Sequence, residues 1–152
     1  MNARHWLMKT EPHVFSIDDL KKKSVEGWNG VRNYQARNFM KDMRVGDKIL
    51  FYHSSVLPPG VAGLAEVAKT AYPDPTQFDP KSDYHDPKAT PDKPIWFQVD
   101  VRFTKKLSRF LSLDEMRGVP AIADMPLFNR SRLSVQPVTP EQYKTIVALA
   151  GR

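Results

Sequence analysis

The chain contains no cysteine. That absence excludes disulfide bonds, thiolate zinc sites and a cysteine nucleophile, and it is compatible with a reducing cytosol. The first ten residues lack the long apolar core of a signal peptide, and the longest apolar run is far too short to span a membrane. From these absences we expect a cytoplasmic protein with no membrane partner.

Several motifs of catalysis and metal binding are also missing. There is no glycine-rich phosphate loop, no Gly-x-Ser-x-Gly turn and no close pair of histidines on a helix. The carboxylates of Asp79, Asp83 and Asp86 are spaced irregularly and lack the glycine and the terminal glutamate of a calcium loop. Glu11 and His53 are the conceivable general acid and base. We therefore expect no metal, no cofactor and no catalytic residue.

Positive charge is what the composition does offer. The chain has 152 residues, which favours a single domain over residues 1–152, and a net charge of +6 with a pI near 9.6. A basic balance favours polyanionic partners, nucleic acid first, although it also serves solubility alone.

Short strands and short helices alternate along the chain. Asn33 is expected to cap a helix that runs to about Met43, and Gly63 to mark a bulge or a tight bend. Without βαβ alternation the order favours an α+β fold, with a sheet that is curved or closed into a small barrel and helices at its rim. The predicted strands are His5–Lys9, Lys48–His53, Val61–Tyr72, Ile95–Phe103 and the edge strand Arg132–Val138, and further helices begin near Ser16, Ser112 and Thr139.

Residues 73–94 form an unusually long segment without periodicity. It holds six prolines and five aspartates. A loop of this length inside a compact domain is uncommon and is usually functional or disordered. Tyr72, Phe78 and Tyr84 are the side chains expected to hold it against the sheet as a cover.

The segment Trp28–Met40 combines aromatic, amide and cationic side chains at the start of a helix. Aromatic faces stack on flat rings, amides pair with donor and acceptor edges, and arginines and helix N-termini hold phosphates. This combination suits a nucleobase or a nucleotide. The alternative is that Trp28 and Tyr34 are packing residues and that Asn29-Gly30 is only a turn.

The chain resembles an EVE domain, a member of the PUA-like group that also contains the YTH and ASCH domains. The resemblance implies a twisted, barrel-like sheet flanked by short helices, with a pocket that accepts a methylated or otherwise modified base of DNA or RNA. It extends over nearly the whole chain, and the residues that carry it are Trp6–Pro12, Trp28–Met40, Gly46–Ser54, Asp74–Asp79, Tyr84–Pro87, Trp96–Val101 and Arg132–Val138.

The resemblance also implies which residues line that pocket. Arg32 and Arg37 are expected to contact phosphates. The expected ligand-binding residues are Lys9, Glu11, Trp28, Gly30, Val31, Asn33, Tyr34, Tyr52, His53, Ser54, Ser134 and Gln136.

Two other functions stay open at the level of sequence. One is an enzyme acting on nucleic acid or nucleotides, because the related ASCH group includes proposed hydrolases; Glu11 and His53 would then supply acid–base chemistry. The other is a protein-interaction module that docks partners on the loop between Pro73 and Pro94.

Overall fold

The computed structural model describes residues 3–151, which form a six-stranded mixed sheet flanked by short helices. This arrangement confirms the α+β prediction. The strands are β1 (His5–Thr10), β2 (Val25–Gly27), β3 (Lys48–His53), β4 (Gly60–Pro73), β5 (Phe97–Ser112) and β6 (Val135–Val138), and the helices are α1 (Ile17–Lys23), α2 (Tyr34–Asp42), α3 (Leu113–Arg117) and α4 (Pro140–Ala150).

The strand order in the sheet is β2-β5-β4-β3-β1-β6. Neighbouring strands are antiparallel except β1 and β3, which run parallel. Within residues 3–151, β2 and β6 are the two edge strands and do not pair with each other, so the sheet is not closed into a barrel. The predicted edge strand is therefore confirmed, although it begins at Val135 rather than Arg132.

Gly63 marks the predicted bulge. The register of β4 shifts next to it against both of its neighbours, β3 and β5. A Cβ at this position would lie 2.4 Å from Cδ1 of Ile17, the first residue of α1. The missing side chain thus lets α1 pack closely on the sheet.

The sheet separates two apolar clusters. Alternation along β1 sends Trp6 and Met8 to one cluster and Leu7 to the other. The first cluster lies beneath α1 and α2 and is rich in aromatic rings, with Trp28 and Phe51 among them. The second cluster is mainly aliphatic and is covered by α3 and α4. The cavity of the candidate site lies beside the first, aromatic cluster, which contributes Trp28 and Val31 to its lining.

Helix caps follow the sequence except at α3, where a serine followed three residues later by a glutamate predicts a capping box. Asn33 caps α2 through its side-chain oxygen, and the helix ends at Asp42. Ser112 caps α3 by accepting the Glu115 N–H, but the Glu115 carboxylate pairs with Arg109 instead of closing a capping box. The arginine competes successfully because β5 runs on to Ser112, nine residues past the end predicted at Phe103, and brings Arg109 alongside.

The long segment, which we call the anchored loop (residues 74–96), is held by buried polar side chains. It begins with a 3-10 turn at Pro75–Phe78. The Gln77 amide donates to the Asp74 and Trp96 carbonyls at 2.8 and 2.7 Å and accepts from the Ile95 and Trp96 N–H groups. Polar anchors thus hold the loop, where the sequence had suggested aromatic side chains.

Of those three aromatic side chains, only Tyr84 is seen to pack on the expected binding segment, over Gly30. Tyr72 instead forms hydrogen bonds with Asp100 and Gln98 near the end of β4. Phe78 is partly buried within the anchored loop. The prediction of a cover therefore stands for Tyr84 and is corrected for Tyr72.

Candidate functional site

A cavity of about 800 Å³ opens beside the aromatic cluster at one end of the strands. The parallel strands β1 and β3 both end there, and the antiparallel strand β6 begins there. The Lys9 N–H donates to the Ser134 carbonyl and the Ser54 N–H to the Thr10 carbonyl, both at 2.8 Å, which joins the three strand ends. Segments distant in sequence therefore converge on the cavity.

The lining residues come from five parts of the chain. Nine of them are residues that the sequence had nominated: Lys9, Glu11, Trp28, Gly30, Val31, Arg32, Asn33, Ser54 and Ser134. The others are Thr10, Val14, Phe15, Lys23, Glu26, Gly27, Asn29, Ser55, Tyr84, Ser131 and Arg132.

Trp28 forms a fixed, largely buried part of the wall. Its backbone N–H donates to the Val99 carbonyl at 2.8 Å, which ties the end of β2 to β5. Its ring lies edge-on to Phe51 and Phe15, with centroids 5.3 and 6.4 Å away. Only 7% of the residue is exposed, so a small part of the ring faces the cavity.

Gly30 is required by its conformation and by its neighbour. Its φ is +83°, a region that disfavours residues with a side chain. A Cβ there would lie 2.8 Å from the ring of Tyr84, which comes from the anchored loop. The Gly30 N–H also donates to the buried carboxylate of Asp74 at 2.8 Å. The anchored loop therefore both covers and fixes this part of the wall.

Arg32 is committed to the protein itself. Its Nε–H and an Nη2–H donate to the Tyr84 carbonyl, at 3.0 and 2.6 Å, and Nη2 also donates to the Thr76 hydroxyl. Its Nη1 donates to the Val31 carbonyl and the Asp74 carboxylate, at 2.9 and 3.2 Å. A guanidinium has five N–H donors, and these bonds use all five. Arg32 therefore holds the two segments together, and the predicted phosphate contact would have to replace one of these bonds.

Lys9 brings a partly buried cation to the cavity. Its ammonium donates to the Ser131 carbonyl at 3.1 Å and lies 5.8 Å from the centre of the Tyr52 ring. Burial lowers the pKa of Lys9, because desolvation disfavours the charged form. A hydrogen-bond acceptor placed in the cavity would offset that cost.

Acidic and further basic groups surround Lys9. The Glu11 carboxylate is exposed and lies 3.3 Å from Nε2 of His13. Lys23 and Glu26 form an ion pair at 2.7 Å, so their charges largely compensate each other. Arg132, which is exposed, also lines the cavity. The cavity thus offers both hydrogen-bond donors and acceptors.

Two predicted aromatic and cationic residues lie outside the lining, beside the anchored loop. Tyr34 is 59% exposed, and its ring lies 4.8 Å from that of Trp96. Arg37 donates to the Ile95 carbonyl at 2.9 Å and lies over the Tyr34 ring. Both residues belong to the outer surface of α2.

Three predicted strand residues also lie outside it. Tyr52 belongs to the aliphatic cluster because alternation along β3 sends Phe51 to the opposite side. His53 accepts the Ile17 N–H through Nε2 at 3.2 Å, and burial lowers its pKa. The Gln136 amide is buried and donates to the Leu133 carbonyl at 3.1 Å. Being close in sequence to the lining residues Ser54 and Ser134 therefore did not predict which strand residues line the cavity.

Some lining residues were not predicted. Asn29 and Arg132 lie inside the recognised segments Trp28–Met40 and Arg132–Val138, and Ser55 directly follows Gly46–Ser54, but none of the three was assigned to the pocket. Lys23 and Glu26 carry no sequence signal, because Glu26 lies within the three-residue strand β2, which was not predicted, and Lys23 ends helix α1 just before it.

Comparison with known proteins defines the family. The EVE domain model matches residues 4–149. The protein therefore belongs to the EVE domain family, as the sequence motifs had indicated. A distant likeness to an ASCH protein from Zymomonas mobilis, with 11% identity and a TM-score of 0.52, reflects a shared fold.

The family includes well-matched relatives of known structure. Human thymocyte nuclear protein 1 is 43% identical over 97% of this chain and 74% of its own length. The structure of human THYN1 protein in complex with DNA containing 5-methylcytosine has a TM-score of 0.94 and 41% identity, covering 99% of both chains. A hypothetical protein from Leishmania major has a TM-score of 0.96 and 50% identity, covering 98% of this chain and 95% of its own.

Two further findings bear on the sequence-based expectations. Within the described residues, no helix is both long and apolar enough to cross a membrane. Residues 3–151 also contain no group of three or more His, Asp or Glu side chains placed to hold a metal ion. The vertebrate relatives are named as nuclear proteins, whereas we expected a cytoplasmic one, and that expectation stays a prediction.

Proposed function

We propose that this protein binds DNA carrying a modified cytosine, without catalysing a reaction, and that the modified base occupies the cavity beside Trp28. The observation that carries the proposal is the convergence of the Trp28–Asn33 segment, Lys9, Ser54 and Ser134 on one cavity. Its volume of about 800 Å³ lies in the range of ligand pockets. The complex of the human relative with DNA containing 5-methylcytosine supports the choice of ligand.

The cavity residues match the chemistry of a cytosine. Lys9 and the Asn33 amide can donate to the O2 and N3 acceptors of the base, and Glu11 can accept from its amino group. The Asn33 side-chain oxygen is used to cap α2, with 2.9 Å to the Ala36 N–H, which leaves its amino group for the ligand. The apolar wall of Trp28 and Val31 is the place for the methyl group.

Discrimination by a methyl group alone should be modest. Burying one methyl contributes about 0.8 kcal/mol, which is less than a tenfold preference. A larger preference would require that unmodified cytosine leave a polar group of the cavity unpaired. The measured ratio therefore reports which of these two means the cavity uses.

A direct test compares oligonucleotides that differ at a single base. Single-stranded DNA and RNA would carry cytosine, 5-methylcytosine, 5-hydroxymethylcytosine, adenine or methyladenine at one central position, and affinity would be read by fluorescence anisotropy. A saturable preference for one modified cytosine in DNA is the expected result. Equal and salt-sensitive binding to all of them would contradict the proposal, since it would reduce the interaction to phosphate attraction.

A matched pair of variants locates the binding. Lys9→Met and Lys41→Met each remove one positive charge, but only Lys9 lines the cavity, whereas Lys41 lies on α2 over the Phe97 ring. We expect Lys9→Met to reduce affinity for the modified oligonucleotide by about tenfold, the typical effect of a charge-assisted hydrogen bond. Lys41→Met should change it little, and equal losses would argue against the cavity.

The wall itself is tested by Trp28→Phe. Trp28→Ala would open the aromatic cluster, because the ring is almost fully buried, and loss of binding could then reflect loss of folding. Phenylalanine keeps an aromatic ring against Phe51 while reducing the surface that faces the cavity. We expect weaker binding with an unchanged circular dichroism spectrum.

The geometry of the site does not support the alternative that the protein is an enzyme. The two conceivable acid–base residues do not face one substrate position, since Glu11 lies at the rim beside His13 and His53 lies outside the lining. The His53 nitrogen that would act as a base accepts the Ile17 N–H. Mass spectrometry of modified nucleosides and oligonucleotides after hours of incubation tests this, and product formation would contradict the non-enzymatic proposal.

A further inference from the structure

A short apolar loop stands at the rim of the cavity. We call it the tip loop; it comprises residues Ser54–Pro59 and connects β3 to β4. Ser54 and Ser55 line the cavity, and Leu57, two positions after Ser55, is 94% exposed. Among residues 3–151 the next most exposed large apolar residue is Val45, at 63%. A leucine so free of protein contacts is available to bury itself in a partner.

The tip loop is shaped to hold Leu57 outward. Its two ends are fixed by the Ser54 N–H bond to the Thr10 carbonyl, at 2.8 Å, and the Leu113 N–H bond to the Pro59 carbonyl, at 2.9 Å. Ser55 has a φ of +55°, which a non-glycine residue adopts only when its surroundings enforce it. Proline at 58 and 59 restricts the backbone on the other side of the leucine. Little order remains to be gained on binding.

Other groups on the same rim suit a nucleic acid rather than an apolar partner. Val14 also lines the cavity and is 58% exposed, so Leu57 is not the one exposed apolar side chain of this region. Lys9 and Arg132 line the same cavity. Cations beside an apolar tip match the phosphates and the base stack of a DNA duplex, which present negative charge and flat apolar faces side by side.

We propose that Leu57 is a wedge that enters the DNA duplex at the step from which the modified base leaves. The inference rests on the proposed function, because it takes the cavity as the place of the base. Removing a base from a duplex costs stacking and pairing energy, and apolar side chains inserted between base steps are a common means of offsetting it. A single strand has no such gap, so Leu57 matters for duplex DNA alone.

The test compares one sequence in two forms. A labelled oligonucleotide with a central 5-methylcytosine is titrated with the full chain, once as a single strand and once annealed to its complement. We expect Leu57→Ala to weaken duplex binding by about tenfold, the effect of removing most of a buried apolar side chain, and to leave single-strand binding unchanged. Leu57→Met, which keeps the apolar volume, should retain most of the duplex affinity.

Val45→Ala is the matched control. Val45 is 63% exposed, and it follows α2 away from the cavity lining. Val45→Ala should bind both forms of the oligonucleotide as the unaltered protein does.

A 2-aminopurine placed next to the 5-methylcytosine reports the unstacking itself. Its fluorescence should increase when the unaltered protein unstacks the step, and increase less with Leu57→Ala.

Each outcome decides the matter. If Leu57→Ala matches the unaltered protein on the duplex, or weakens both forms equally, or if the unaltered protein does not bind the duplex, the wedge is overturned. If the unaltered protein shows no preference for the modified base on the single strand, the proposed function fails instead. The duplex oligonucleotide therefore tests the wedge, and the single strand tests the proposed function.

Discussion

Two loops border the same cavity and are held in different ways. The anchored loop contributes Tyr84 and has buried polar side chains, with Asp74 and Gln77 both inaccessible to solvent. The tip loop contributes Ser54 and Ser55 and is tied at its ends by backbone hydrogen bonds.

The comparison shows that order in an irregular segment depends on where its polar groups find partners. The anchored loop is several times longer, yet its polar groups bond inward and it belongs to the fold. The tip loop is short, but its largest side chain faces solvent. We therefore expect substitutions in the first loop to affect folding and binding together, and substitutions at the tip to affect binding alone.

The largest effect should come from Asp74→Ala. The buried carboxylate accepts hydrogen bonds from the Gly30 N–H, the Arg32 guanidinium, and the N–H and hydroxyl of Thr76. Its removal leaves a partly buried guanidinium without its counter-charge, which should lower the free energy of unfolding by about 3 kcal/mol. Urea denaturation measures this loss.

Asp92→Ala provides the matched control for Asp74→Ala. Asp92 is an exposed aspartate of the same anchored loop, so its removal should stay within about 0.5 kcal/mol. Similar losses in the two variants would show that the loop is not held by its buried acid.

Gln77→Ala should follow with about 2 kcal/mol. Its amide pairs with two carbonyls and two N–H groups of residues 74, 95 and 96. Alanine would leave the Ile95 and Trp96 N–H groups without an acceptor, whereas both carbonyls keep a backbone donor. Hydrogen exchange should accelerate at the Ile95 and Trp96 amides, while amides of β3 keep their protection. Uniform acceleration over the whole sheet would contradict a local anchor.

The contrast also explains how much of the site was accessible from sequence. The segment from Trp28 to Asn33 was recognised because its signals are local: an aromatic ring, a turn glycine and a helix cap lie within six residues. Asp74 and Gln77 gave no such signal, since their partners lie 44 and 19 positions away in the chain. Aspartate and glutamine in a proline-rich segment indicate a solvated loop, and burial reverses that meaning.

Strand positions were predicted less well than strands. β3 was located correctly, and yet Tyr52 and His53 do not line the cavity. From Ile49 to His53 every side chain is apolar or aromatic, so the sequence does not reveal which side chains face which side of the sheet. β2 was missed because it has only three residues and no apolar period. The prediction ended β5 too early because register shifts along this strand break the alternation of apolar and polar side chains.

Gly30→Ala tests the contact between the anchored loop and the wall of the cavity. Its positive φ and the approach of the Tyr84 ring both oppose a side chain, so we expect a loss of about 1–2 kcal/mol. Binding of a modified oligonucleotide should weaken as Tyr84 is displaced. Gly118→Ala, with its nearest contact at 3.6 Å and no positive φ, should change neither property.

Acidification should have a smaller effect on stability, through His53 at the end of β3. Burial lowers the pKa of His53, with Asp18 raising it and Lys106 lowering it to lesser degrees. The unfolded chain then binds the proton more readily, so stability falls as the pH drops below about 6.5, the ordinary histidine value. Protonation would also remove the acceptor of the Ile17 N–H.

A variant separates His53 from His5, whose pKa burial also lowers. His53→Gln offers an uncharged acceptor to the Ile17 N–H, so its stability should vary less between pH 7.5 and 5 than that of the unaltered protein. Parallel curves for the two proteins would assign the whole pH dependence to other groups.

The smallest expected effect on folding is that of Leu57→Ala. A side chain that is 94% exposed makes almost no packing contacts, so its truncation should change the free energy of unfolding by less than about 0.5 kcal/mol. Thermal and urea denaturation would measure this beside the duplex titration. A clear loss of stability would place Leu57 in contact with the protein and remove the contrast between the two loops. Unchanged folding with weakened duplex binding would show that the exposed leucine serves the DNA rather than the fold.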